Sequence, residues 1–205
     1  MEKTNPIHPA STQPVKIAVF ASGTGTNAAK LIDYFKTSPV ARVALVVCNK
    51  PGAGVLALAE KAGVPTLLIE KERFFRGDAY LPPLKEAGIE FLVLAGFLWK
   101  VPQALIDAFP RRIVNIHPAL LPKFGGKGMY GQYVHEAVLQ AGERETGITV
   151  HFVDEHYDSG DIIFQTACPV LDGDSPETIA ARIHQLEHAH YPRVVEEVVR
   201  EQTSS

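Results

Sequence analysis

The sequence predicts a single α/β domain with a mostly parallel central sheet, helices on both of its faces and an antiparallel C-terminal addition. Three observations carry this expectation. Short continuous apolar runs recur at residues 17–20, 43–47, 66–69, 91–94 and 113–116. Segments with helical spacing lie between them, for example Ala28, Leu31, Ile32 and Phe35. After Gly147 the character changes, and residues 148–153 and 162–170 read as an antiparallel pair joined through Asp154 to Asp161. Strands covered on both faces should be apolar throughout, and alternation of such strands with helices is how a parallel sheet is connected.

Taken in order, residues 1–14 are polar, carry three prolines and lack periodicity, so they read as a disordered leader before a domain of residues 15–205. The first run opens into Ser22-Gly23-Thr24-Gly25-Thr26-Asn27 and a helix. The Gly63-Val64-Pro65 turn and Gly88 mark helix stops. Ser175-Pro176 suits the start of a last helix, since Ser caps well and Pro fits the first helical position. Tyr191-Pro192 should break or kink that helix. The resulting architecture is Rossmann-like.

Composition narrows the function classes. A chain of 205 residues with 46% apolar and 21% charged residues suits one domain with a sizeable core. A net charge of −3, without a Lys/Arg block, argues against a nucleic-acid partner. Two cysteines, Cys48 and Cys168, are too few and too distant for a disulfide framework or a thiolate metal site. No membrane span or signal peptide is legible, so the expected compartment is the cytoplasm and no membrane partner is expected.

The glycine loop is the first candidate site. Glycines let the backbone approach an anion, and the helix N-terminus presents unpaired N–H groups and a positive dipole end to it. With Ala28 the segment also satisfies G-x-G-x-x-A, a dinucleotide fingerprint. That fingerprint expects an acidic residue about 20 positions on, where this chain has Cys48-Asn49-Lys50. Phosphate binding is therefore the favoured reading, over a plain structural turn or a dinucleotide.

The second site lies at the end of the fifth run. Asn115 and His117, two residues apart, share one face at the C-terminal end of a strand that Pro118 closes. In open α/β sheets ligands bind outside those ends. An amide that donates to a developing oxyanion, beside an imidazole that donates a bond or a proton, suits acyl-type transfer. A nearby carboxylate would favour the charged imidazole, and spacing leaves Asp158 and Asp161 equally eligible. Histidines at 135, 151, 156, 188 and 190 form no zincin-like pair, and no metal is expected. His151 alternates within a strand and points either into the site or into the core.

Five motifs in order now become informative: the glycine loop; Ala95-Gly96-Phe97; Asn115-Ile116-His117-Pro118-Ala119-Leu120-Leu121-Pro122-Lys123; Val150-His151-Phe152-Val153 with Asp158-Ser159-Gly160; and Glu187-His188 with Tyr191-Pro192. Together they resemble the phosphoribosylglycinamide formyltransferase family, folate-dependent enzymes of purine synthesis, over roughly residues 15–195. The resemblance implies formyl transfer from 10-formyltetrahydrofolate, as cosubstrate, to the amine of glycinamide ribonucleotide. It implies a catalytic trio of Asn115, His117 and Asp158, preferring Asp158 to Asp161. Gly23, Thr24, Gly25, Thr26 and Asn27 match the ribonucleotide phosphate loop, and Glu187 a further substrate contact. Leu98, Trp99, Lys100 and Val101 match the edge of the pterin pocket, which Asn115 adjoins, and Arg76 lies near a family arginine that contacts folate.

This chain departs from many members in having Leu98-Trp99 where they have Met-Arg. Its glycine-rich loop of residues 124–131 offers Lys127 as a phosphate partner or a solvated charge. Small-molecule substrates are the expected partners, with a homodimer left open. The rival readings are a folate formyltransferase for another amine, whose known forms append a domain this length does not accommodate, and a non-catalytic nucleotide-binding module.

Overall fold

The computed structural model describes residues 13–203, so the expected leader falls outside the described residues up to position 12. The strands are β1 (Val15–Ala21), β2 (Ala41–Cys48), β3 (Thr66–Leu68), β4 (Phe91–Leu94), β5 (Ile113–His117), β6 (Glu145–Phe152) and β7 (Ile162–Pro169). The helices are α1 (Thr26–Phe35), α2 (Gly54–Lys61), α3 (Lys71–Phe75), α4 (Leu81–Glu86), α5 (Gln103–Ala108), α6 (Gln132–Gln140) and α7 (Pro176–Thr203).

The sheet order is β3-β2-β1-β4-β5-β6-β7. Pairings from β3 to β5 are parallel, while β6 and β7 add antiparallel. Strand order reverses between β1 and β4, and a crevice opens at such a switch point on the C-terminal side of the strands.

Side-chain alternation along each central strand feeds two cores. Ile17, Val19 and Ala21 of β1 face Leu31 and Phe35 of α1 and the apolar side of α7. Ala18 and Phe20 face Phe74 of α3, Leu84 of α4 and Leu105 of α5. Both sets are nearly inaccessible to solvent, which is why these strands read as unbroken apolar runs.

Two expectations need correction. β6 begins at Glu145, so Gly147 lies inside the strand and does not precede it. A Cβ there would collide with the Thr166 carbonyl oxygen of β7, so glycine marks a close approach of two backbones. The last helix also runs through Pro192 without ending. Proline costs one helical hydrogen bond, but Tyr191, Val194, Val195, Val198 and Val199 are buried against the sheet around it. The Tyr191 hydroxyl also donates to the Leu94 carbonyl at 2.7 Å. Packing thus holds a helix that local propensity would interrupt. Among the described residues, no helix is long and apolar enough to cross a membrane.

Candidate active site

The crevice at the C-terminal ends of β1, β4 and β5 is a cavity of about 660 Å³, bounded on its far side by residues 126–131 and α7. At one end lies the glycine loop. Gly25 caps α1 with φ 82°, a left-handed conformation that side chains disfavour. A Cβ at Gly25 would stand 2.7 Å from the Val55 side chain, so both backbone and space require glycine there. Thr26 and Asn27, the first residues of α1, line the cavity, and the first turn of a helix carries N–H groups without helical partners.

Asn27 Nδ2 donates to Glu187 Oε2 at 2.8 Å, tying the start of α1 to α7. Asn27 Oδ1 is buried without a hydrogen-bond partner. Burial pushes Glu187 above the ordinary carboxylate range, against the lowering effects of Asn27 and His184. Ser22 knits the loop to its neighbour: its Oγ accepts from Leu98 N at 3.0 Å and its N–H donates to the Gly96 carbonyl at 3.1 Å.

Asn115, His117 and Asp158 line the middle of the cavity and, with the buried His151 behind them, form a four-residue polar network. β5 and β6 pair antiparallel with Asn115 opposite His151. His151 Nδ1–H donates to the Phe152 carbonyl at 2.7 Å. Its Nε2 is therefore the acceptor for the Asn115 amide at 3.1 Å. A second, longer contact of 3.5 Å runs from the same amide to Asp158 Oδ1.

His117 Nε2–H donates to the Phe124 carbonyl at 2.7 Å, which leaves Nδ1 facing Asp158 Oδ2 at 3.7 Å. Gly126 N–H donates to that same oxygen at 2.9 Å. Phe124 and Asp158 both adopt left-handed φ, 55° and 52°. Such conformations in non-glycine residues store strain and cluster at functional sites.

Burial decides the charge states. It pushes His117 below the ordinary histidine value, and the opposing effects of the Asp158 carboxylate and the Phe124 carbonyl do not offset it; His151 lowers it further. The expectation that a carboxylate would keep His117 charged is met in the sign of Asp158's own effect, but burial outweighs it. For Asp158, burial pushes upward, yet His151, His117 and the Gly126 N–H together hold the carboxyl below its ordinary value. With Nε2–H committed to the Phe124 carbonyl, the neutral form of the His117 ring carries its free lone pair on Nδ1, on the side of Asp158.

Of the residues anticipated from sequence, the cavity wall brings together residues 23–27, Leu98, Asn115, His117, Lys127, Asp158 and Glu187. Asp161 instead pairs with Arg111 at 2.8 Å on the surface. Four other residues anticipated for folate lie outside the wall. Val101 is buried in the core beneath α5. Trp99 packs on Phe74 and Phe75. Lys100 Nζ sits 5.8 Å from the centre of the Tyr157 ring, and Arg76 is exposed at the end of α3.

Sequence reasoning left His151 undecided, weighed His135 only as a metal ligand and missed His184. His135 lines the cavity beside His184, and burial drives it down to about 4, with those of His184 and His117 adding. The signal for His151 was its register opposite Asn115, which emerges only once β5 and β6 are paired.

Comparison with known proteins agrees with this geometry. Residues 15–195 match the family model described as formyl transferase. The chain is 43% identical over 192 residues to the chloroplastic phosphoribosylglycinamide formyltransferase of Arabidopsis thaliana, covering 91% of this chain and 66% of that protein. It is 38% identical to the phosphoribosylglycinamide formyltransferase of Bacillus subtilis, covering 90% of this chain and 94% of that protein. The crystal structure of glycinamide ribonucleotide transformylase 1 from Geobacillus kaustophilus superposes with a TM-score of 0.83 at 38% identity, covering 91% of this chain and all of that one. The chain thus spans just under two thirds of the plant relative and nearly all of the bacterial one.

Proposed function

The chain belongs to the formyl transferase family, and from that premise we propose that it transfers the formyl group of 10-formyltetrahydrofolate to the amine of glycinamide ribonucleotide. The products are the formylated ribonucleotide and tetrahydrofolate. On this reading residues 15–205 form the catalytic domain. The observation that carries it is that Asn115, His117 and Asp158, with His151 buried behind them, line the same cavity as the glycine loop at the start of α1.

Each group then has a task. The Gly23–Asn27 loop and the first turn of α1 hold the phosphate, with Lys127 within the same wall to add charge. The Glu187 carboxyl, held by Asn27, offers an acceptor for a sugar hydroxyl. A half-exposed Leu98 beside Phe97 gives an apolar rim suited to a planar folate ring. Formyl folate supplies the electrophilic carbon and, on its nitrogen, the leaving group.

As the amine forms its bond to that carbon, the formyl oxygen gains negative charge. Asn115 supplies the donor, because its 3.5 Å contact to Asp158 is long enough to yield to a better acceptor. The amine must also lose a proton. His117 Nδ1 is the vacant base for it, and Asp158 stabilises the resulting imidazolium across 3.7 Å. The same N–H returns the proton to the folate nitrogen as the old C–N bond breaks.

Turnover is measured by loss of formyl-folate absorbance with glycinamide ribonucleotide as acceptor. Asn115→Ala and His117→Ala are each expected to lower kcat by about 10²–10³. Near wild-type turnover in either variant overturns these roles. An enzyme that binds formyl folate but ignores the ribonucleotide points to a different amine.

A further inference from the structure

We propose that a groove at the opposite end of the strands from the active site is a second ligand site, taking a nucleoside monophosphate, and that its occupancy is felt at the glycine loop. The site stands on its own geometry. Its effect on catalysis rests on the reading that the glycine loop holds the ribonucleotide phosphate.

The groove, a second cavity of about 620 Å³, lies between the C-terminal halves of α1 and α2 and the start of β2. Its floor is apolar, with half-buried Ile32, Leu58 and Val64. Its rim carries three exposed cations, Lys36, Arg42 and Lys61, and one carboxylate, Asp33. Among the described residues none of these cations enters an ion pair, although the whole chain has a net charge of −3. Lys36 and Lys61 sit at the ends of α1 and α2, where a cation complements the helix dipole. Arg42 stands at the start of a strand and has no such duty. Its guanidinium is the side chain best shaped to grip a phosphate through two parallel bonds.

The combination selects the ligand class. A bare phosphate would satisfy the cations and leave the apolar floor and Asp33 without a use. A nucleoside monophosphate engages all three, with its phosphate on the cations, a ribose hydroxyl donating to Asp33 and the flat base on the floor. The volume lies in the range of pockets that hold small molecules.

Both helices that wall the groove reach the glycine loop at their other ends. α1 begins directly after Gly25. At the start of α2 the Val55 N–H donates to the Gly23 carbonyl at 3.2 Å. A Cβ on Gly54 would stand 3.1 Å from the Thr24 carbonyl oxygen. A ligand wedged between the far ends of these helices therefore acts, through two rigid elements, on the backbone of the loop.

The full chain is titrated by calorimetry with adenosine monophosphate, and separately with adenosine and with inorganic phosphate. The nucleotide is expected to bind at least about ten-fold more tightly than either part. Arg42→Glu should weaken it about ten-fold or more, Arg42→Lys much less, and neither variant should alter turnover in its absence. Saturating nucleotide should shift the KM for the ribonucleotide about five-fold, and saturating ribonucleotide should change nucleotide affinity by the same factor and then plateau.

Phosphate binding as tightly as the nucleotide overturns the ligand class. Nucleotide binding that Arg42→Glu leaves unchanged, or that ribonucleotide abolishes without a plateau, places the ligand in the catalytic cavity and overturns the groove. Arg42-dependent binding with an unmoved ribonucleotide KM overturns the coupling alone. A chain that binds the nucleotide through Arg42 but transfers no formyl group overturns the functional reading and leaves the groove standing.

Discussion

His117 has two nitrogens with different neighbours, and the difference fixes where its titrating proton resides. Nε2 is committed to the Phe124 carbonyl, so a second proton must enter at Nδ1, on the side of Asp158. Because burial lowers the pKa of His117, the base form is present at neutral pH. We expect kcat/KM to rise with pH through an inflection below the ordinary histidine value. The Asp158 charge raises that inflection, so Asp158→Asn should move it to still lower pH while also lowering kcat. A pH–rate profile of the two proteins checks this, and an inflection that moves upward in the variant refutes the pairing. Backbone groups of Phe124 and Gly126 hold this pair in place, and such groups carry no side-chain signature. That is why the sequence pointed to Asn115 and His117 but not to what positions them.

Among the elements, the junction of β1 and α1 is the most tightly specified. Gly25 meets two requirements at once, a φ of 82° and closeness to Val55 on α2. Gly25→Ala should therefore displace the loop that faces the phosphate. The expected result is a KM for the ribonucleotide about five- to thirty-fold higher, from about one to two kcal/mol of lost fit, with the folate KM little changed. Steady-state kinetics varying each substrate in turn checks it; a parallel rise of both KM values would mean general damage instead. The glycine loop was legible as a tight strand-to-helix turn because the left-handed backbone and the closeness of Val55 demand glycine at position 25. The extent of β6 was not, because Gly147 looks like a boundary unless the partner strand's Thr166 carbonyl is known to lie against it. The contacts of Trp99 with α3 were not legible either, because they depend on a helix 24 to 28 positions earlier and leave no local pattern.

At the level of the whole molecule, α7 binds the two halves of the sheet together. Its Tyr191 is fully buried and donates to the Leu94 carbonyl at the end of β4. Tyr191→Phe removes the donor and strands that carbonyl, at a cost of about 1–3 kcal/mol. Thermal or denaturant unfolding should show that loss, and a variant as stable as the wild type would show that the bond contributes nothing. The apolar runs made the parallel character of the central sheet and the antiparallel addition legible from sequence, but not the order of the strands. They could not show that α7 passes through Pro192, since that continuity is enforced from outside the helix by the sheet beneath it.

The Asn27–Glu187 hydrogen bond spans 160 positions of sequence. A ribosome makes the glycine loop early and Glu187 late. The loop's first chance to adopt its finished form comes only when the last helix has emerged and docked. A nascent chain halted before that point would carry His117 and Asp158 yet lack the α7 wall of the cavity, so the order of synthesis postpones completion of the proposed ribonucleotide site until α7 has docked.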